Sequence, residues 1–421
     1  MSKILRLIFI PLLVFPAFAV TAEAVYIEDT GFVLEPPVGW TVLDVTDSRW
    51  TFQDFTGEAF MQIKIWPGDS WDSGQAVFDG VTGELAAKAE GEQYDLYGRD
   101  AVFGILDFAS GGYEYSGYGL FTDGEDFDMA ILSFASAEAL PLLNDYVLSA
   151  LDSFAFAPGL MLNPGPVSSY YLQSYTASQR IPASTVFEGE AVEWQVDGRA
   201  VEASQLVIER EAAILGDFKP DTEEGIEAWK RYYRLIYRDN YSRLDYPAAL
   251  LKERLLQTEE LDDTDESGSD TEDSSGSWFS SGSEKRRQSL RSSASKLSLD
   301  APQRLLSWVQ GFNYRRTGGS DLISPLAAAA FGDGDCDSRS LLYIILLNHY
   351  GVDSALMVSA VYSHAMAAVD TEGPGARINI DGRMLLVAET TDDVAIGMIA
   401  SDMADPAKWT VISLMEKEPW N

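Results

Sequence analysis

Two-residue alternation of apolar and polar positions marks the first third of the chain, and helical periods mark much of the rest. In Ala59-Phe60-Met61-Gln62-Ile63-Lys64-Ile65, Phe60, Gln62 and Lys64 alternate with Met61, Ile63 and Ile65, as in a half-buried strand. Residues 31–34 and 50–52 are shorter strand candidates, and Pro36-Pro37-Val38-Gly39-Trp40 is a turn leading into Val42 and Leu43. The apolar runs 113–121 and 127–134 flank Asp123-Gly124 and read as a hairpin. Val77, Val81, Leu85 and Ala86 give residues 73–89 a helical face, and 140–154 reads as a closing helix. The pattern over 25–157 predicts a small α+β domain with an antiparallel sheet.

Residues 158–184 are polar, contain Pro164 and Pro166, and read as a linker or irregular entry. Residues 191–196 and 205–208 are short strand candidates within a 158–257 segment expected to pack on the C-terminal domain. Over 224–256, Trp229, Tyr232, Tyr233, Ile236 and Tyr237 recur at three- and four-residue steps. Such a stripe is either core packing, which is favoured, or a carbohydrate platform. Pro247 is expected to split the stretch into two helices.

Composition then changes. Residues 259–273 are rich in Asp, Glu, Ser and Thr, and 274–295 are rich in Ser with Lys285, Arg286, Arg287 and Arg291. With few apolar side chains to offset ordering entropy, 258–298 is expected to be a disordered insertion. Residues 299–421 form the final domain. Leu305, Val309 and Phe312 mark one helix. Asp335 is an N-cap for a second helix that starts at Cys336 and stops at Gly351. Strands are expected over 354–361 and 364–369, then over 377–380 and 385–388 across the Asp381-Gly382 turn.

The formal charge of -36 disfavours nucleic-acid partners. At the start, Lys3 and Arg6 precede an apolar run over 7–20, and Ala22-Glu23-Ala24 fits a cleavage site. A cleaved signal over 1–24 is therefore expected, with a periplasmic or secreted mature protein and no transmembrane segment after cleavage. A single cysteine excludes an internal disulfide.

That cysteine carries the chemical question. Cys336 opens a helix, where unpaired N–H groups and the dipole favour thiolate and can help hold an oxyanion. His364 in a small-apolar strand and Glu389 at a strand end supply an imidazole and a carboxylate, the partners a thiol nucleophile needs. Gln310 is a candidate oxyanion donor, and His349, in a last helical turn, reads as structural. Asp333, Asp335 and Asp337 alternate like a calcium loop, but Ser338 replaces the required glycine and Ile344 the closing glutamate. No metal and no cofactor is expected.

Over 25–157 the order of elements, the Pro-x-Gly-Trp-like start and the Asp152-Ser153-Phe154 end resemble the PsbP-like family, which implies an accessory role in binding or assembly. Gly334-Asp335-Cys336-Asp337 with its apolar helix, His364, and Glu389-Thr390-Thr391 resemble the nucleophile, histidine and acid motifs of the transglutaminase-like superfamily over about 300–415. That resemblance implies a papain-type domain with Cys336 as nucleophile, His364 as base and Glu389 as orienting acid, although the family commonly has aspartate at the last position. The expected activity is that of an exported thiol enzyme, a cysteine peptidase or amidase working through an acyl-cysteine. Its partner would be a protein or peptide substrate in the cell envelope. The alternative is a catalytically inactive envelope scaffold or binding protein.

Overall fold

The computed structural model describes residues 24–174, 179–265, 300–316, 320 and 322–414, with backbone only over 258–265. Residues 1–23 of the expected signal lie outside the described residues, as do 266–298 of the expected insertion. The architecture is α+β, with two sheet-containing domains joined by helices.

The first domain opens with a two-stranded ribbon, β1 (Val25–Ile27) and β2 (Phe32–Leu34). A seven-stranded antiparallel sheet follows in the order β3-β4-β5-β9-β8-β7-β6. Its strands are β3 (Thr41–Thr46), β4 (Arg49–Gln53), β5 (Ala59–Pro67), β6 (Lys88–Leu96), β7 (Arg99–Ser110), β8 (Tyr113–Thr122) and β9 (Phe127–Ser136). Helix α1 (Gly74–Leu85) buries Val77, Phe78 and Val81 against one face. Helix α2 (Leu140–Asp152) buries Val147, Ala150 and Leu151 against the other, beside Phe32, Trp40 and Ile131.

The hairpin across Asp123-Gly124 forms as expected. The β6–β7 hairpin was not legible, because β6 is the sheet edge and its Glu90, Glu92 and Asp95 leave little apolar alternation. The helix expected to reach residue 89 stops at Leu85, where Ala86 adopts a left-handed conformation (φ 48°) and redirects the chain.

The middle segment is more regular than its composition suggested. It contains α3 (Pro166–Ser174), the hairpin of β10 (Arg180–Phe187) and β11 (Glu190–Asp197), α4 (Gly198–Gly216), α5 (Glu223–Tyr241) and α6 (Asp245–Asp265). Residues 205–208, read as a strand, lie inside α4, whose start is capped by Asp197 accepting from the Arg199 N–H. The break between α5 and α6 falls at Ser242–Leu244, and Pro247 sits in the first turn of α6, where its missing N–H costs little. Helix α6 continues to Asp265, into the stretch expected to lack structure.

Helix α5 has two working faces. Tyr232, Tyr233, Ile236 and Tyr237 are buried in the C-terminal core, so the aromatic stripe is packing rather than a sugar platform. Arg231, Arg234 and Arg238 grip the first domain. Arg231 donates to Glu35 O at 2.8 Å, Glu211 Oε2 at 2.7 Å and Ser149 Oγ at 2.8 Å. Arg234 pairs with the Glu35 carboxylate. Arg238 donates to the carbonyls of Ser153 (2.5 Å), Phe154 (2.7 Å) and Asn163 (3.1 Å). Beside them Arg210 donates to Asp152, whose other oxygen accepts the N–H groups of Val167 and Ser168.

The second domain places α7 (Ala301–Gln310), α8 (Pro325–Phe331) and α9 (Cys336–His349) against a five-stranded sheet. Its strands are β14 (Ser354–Ser359), β15 (His364–Val369), β16 (Arg377–Ile380), β17 (Arg383–Ala388) and β18 (Thr410–Ile412), in the order β16-β17-β15-β14-β18. A short parallel bridge joins β12 (Asn313–Tyr314) to β13 (Asp333–Gly334). Leu341 to Leu347 are all buried, so α9 is the central element of this core.

Candidate functional site

Asp335 fixes the start of α9. Its Oδ1 accepts from the Ser338 N–H at 2.9 Å and from Ser338 Oγ at 2.7 Å, and Gly351 (φ 78°) follows the helix at the other end. Burial, then the neighbouring Asp337 charge, push the Asp335 carboxyl up to about 6. Cys336 is the first helical residue and is 2% exposed.

The sheet supplies the other two residues. β15 pairs with β17 in the register Ala367↔Ala388, which brings the residue after β17 near the start of β15. His364 Nε2 and Glu389 Oε2 are 2.7 Å apart. Glu389 Oε1 accepts from the Thr391 N–H at 2.8 Å and its hydroxyl at 2.6 Å. Burial opposes charge on both members of this pair, but their contact outweighs it: the His364 value is raised and the Glu389 value lowered. Between the ordinary glutamate and histidine values the pair is therefore an imidazolium and a carboxylate.

Cys336 adjoins this pair through the Ala365 N–H, which donates to its sulfur. Its own thiol donates to Asp337 Oδ2 at 3.3 Å, and no hydrogen bond joins it to His364. Burial, followed by the Asp337 and Asp335 charges, pushes the thiol far above the ordinary cysteine range. Asp337 is also held by the Tyr233 hydroxyl. The helix N-terminus was expected to favour thiolate. Two carboxylates beside it, in a desolvated position, overturn that effect.

The thiol-enzyme reading is accordingly corrected. Cys336 is a buried, protonated cysteine, not an activated nucleophile, and the expected peptidase or transamidase activity and transglutaminase-like assignment fall with it. Among the described residues, no group of three or more His, Cys, Asp and Glu side chains is arranged to hold a metal ion.

Gln310 is a brace. Its side-chain N–H group donates to the carbonyls of Glu389 (2.8 Å) and Val394 (2.9 Å), fixing the loop after β17. His349 stacks on Tyr241 with ring centroids 4.1 Å apart, and burial lowers its value. Sequence reasoning missed Arg339. Although 1% exposed, it donates to the carbonyls of Gly334 and Phe312, at 2.9 and 2.7 Å, and tethers the end of α7 to the start of α9. An arginine one turn into an otherwise apolar helix was the available signal.

No protein-family model and no curated protein matches the chain. Among solved structures, it is similar to a solution structure of cyanobacterial PsbP (CyanoP) from Synechocystis sp. PCC 6803. The identity is 14%, over 34% of this chain and 98% of that one, with a TM-score of 0.27. It is also similar to a crystal structure from Bacteroides thetaiotaomicron VPI-5482, at 9% identity over 52% of this chain and 78% of that one, with a TM-score of 0.24. At those scores neither likeness decides a role for this chain.

Proposed function

We propose that this chain is a non-catalytic binding or scaffold protein. The observation that carries the reading is the state of Cys336: buried, protonated and hydrogen-bonded to Asp337. Acyl transfer through cysteine needs a thiolate with access to a carbonyl carbon, and both conditions are lacking. The arginine face of α5 supports the same reading, because it joins the two domains through buried contacts suited to presenting a fixed surface.

The partner in this reading is a protein or peptide. The charge of -36 opposes binding to a nucleic-acid backbone. Among the described residues, no helix is long and apolar enough to cross a membrane. Placement in the cell envelope rests on the basic and then apolar N-terminal sequence, and N-terminal sequencing of the mature protein tests it.

The decisive test is covalent. The whole protein is incubated at neutral pH with an activated acyl ester, and its intact mass is followed. No acyl adduct on Cys336 is expected. An adduct that forms in the native protein, turns over and vanishes in Cys336→Ala overturns the proposal.

A further inference from the structure

At one end of the seven-stranded sheet three aspartates stand side by side. Thr122 is in register with Ala101 on β7 and Met129 on β9, so the adjacent Asp100, Asp123 and Asp128 occupy neighbouring positions on one face. Like charges directly opposite one another are destabilising in a sheet. Two of the three have donors from the start of α1 and the loop that leads into it. Asp100 Oδ2 accepts the Gly74 N–H at 3.1 Å, and Asp128 Oδ2 accepts the Trp71 N–H at 3.0 Å. Ser73 caps α1 between them, accepting from the Ala76 N–H at 3.1 Å. The carboxylate row thus seats the positive end of that helix.

One oxygen is left over. Asp128 is 0% exposed, and its Oδ1 makes no well-formed hydrogen bond, although the Gly124 N–H also acts on this carboxylate. The register sets a second acceptor, the Asp123 carboxylate, beside the Asp128 carboxylate. Two ionised carboxylates in contact, one of them buried, cannot satisfy each other, whereas one added proton turns the contact into a short, charge-assisted hydrogen bond.

We propose that Asp128 and Asp123 share one proton in the folded protein, Asp128 donating through Oδ1 to Asp123, and that this bond locks the Trp71–Gly74 loop and the start of α1 onto the sheet. Losing the proton leaves two facing charges and loosens the loop. Burial and the Asp123 contact raise the Asp128 value, outweighing the lowering N–H groups of Trp71 and Gly124. The other charged groups on the elements that meet here are Asp100 and Arg99 on β7, Lys64 on β5, Asp69 and Asp72 in the loop, and Glu125 and Asp126 in the β8–β9 turn. Helix α1 brings no acidic residue in its first turn. Arg99 lies over the Phe127 and Phe156 rings.

For an acid whose folded value is raised, the proton is bound more tightly in the folded state. Stability is therefore highest below the unfolded value of about 3.9 and falls as pH rises through the folded value. Asp128→Asn supplies a permanent N–H donor to Asp123 while keeping an oxygen for Trp71. The test is chemical unfolding of the full chain from pH 4 to pH 8, wild type against Asp128→Asn, with Asp123→Asn as a second donor-supplying variant. The unfolding constant of the wild type relative to either variant should rise with pH, at most about tenfold per pH unit because one proton is involved. Amide exchange at Trp71 should slow in the variants at neutral pH. Parallel pH curves for wild type and a folded variant, or unchanged Trp71 exchange, overturn the proposal.

Discussion

Arg231 Nη1 lies 2.7 Å from Glu211 Oε2, with both side chains almost wholly removed from solvent, and the same guanidinium reaches Glu35 O and Ser149 Oγ in the first domain. One arginine on α5 thereby ties an α4 carboxylate to two first-domain residues, Glu35 and Ser149, that lie 196 and 82 positions from the arginine in sequence. The charge is compensated on every side. Such a cluster confers little net stability over apolar packing, but removing one member strands the others.

Arg231→Ala should therefore destabilise the protein by about 3–5 kcal/mol, because Glu211 would be left buried beside a cavity. Urea unfolding measures the loss. An apolar pair, Arg231→Met with Glu211→Leu, should recover much of it. A loss below about 1 kcal/mol for the single variant would mean that solvent reaches Glu211.

Cys336 should resist alkylation. In the native protein at pH 7–8 iodoacetamide should leave it unmodified, and in denaturant it should react at the rate of an ordinary thiol. Asp337→Asn removes the negative charge that, after burial, does most to raise the thiol, so it should shift the alkylation profile to lower pH. Rapid native labelling of the wild type would contradict the buried, protonated state.

The chain's two histidines permit a direct titration. By nitrogen-detected NMR, His364 should titrate above the ordinary 6.5 and His349 below it. Glu389→Gln should bring His364 down, because burial then acts without the opposing carboxylate. The stability linkage has two limbs. His364 contributes stability below the ordinary histidine value, lost as pH rises through its raised folded value. Glu389 contributes above the ordinary glutamate value, lost as pH falls through its lowered one. An unshifted His364 in the wild type would contradict the ion pair.

Asp335→Ala removes the cap of α9 and should cost about 0.5–2 kcal/mol in thermal or chemical unfolding. Asp335→Asn keeps an accepting oxygen for the Ser338 N–H and should lose less. Equal losses in the two variants would show that charge, rather than capping, is the contribution.

Local signals in the sequence corresponded to local facts. The 59–65 alternation lies in β5, Asp335 and Gly351 bracket α9, and Asp381-Gly382 joins β16 to β17. Each depends on a few consecutive residues and their own backbone preferences. Where neighbours decide, the reading failed. β6 lacks apolar alternation because it lies at an edge, and residues 205–208 look like a strand until Asp197 starts a helix ahead of them.

The sequence by itself determined that a cysteine opens an apolar helix and that a histidine and a glutamate lie on later strand positions. Only the tertiary structure decided their chemistry. It set His364 against Glu389 and turned the Cys336 thiol toward Asp337. The balance between a helix dipole and two carboxylates depends on desolvation, which arises when distant segments close over the site. The arginines of α5 follow the same logic: their spacing is visible in the sequence, but the carbonyls and carboxylates they hold come from parts of the chain that meet only in the fold.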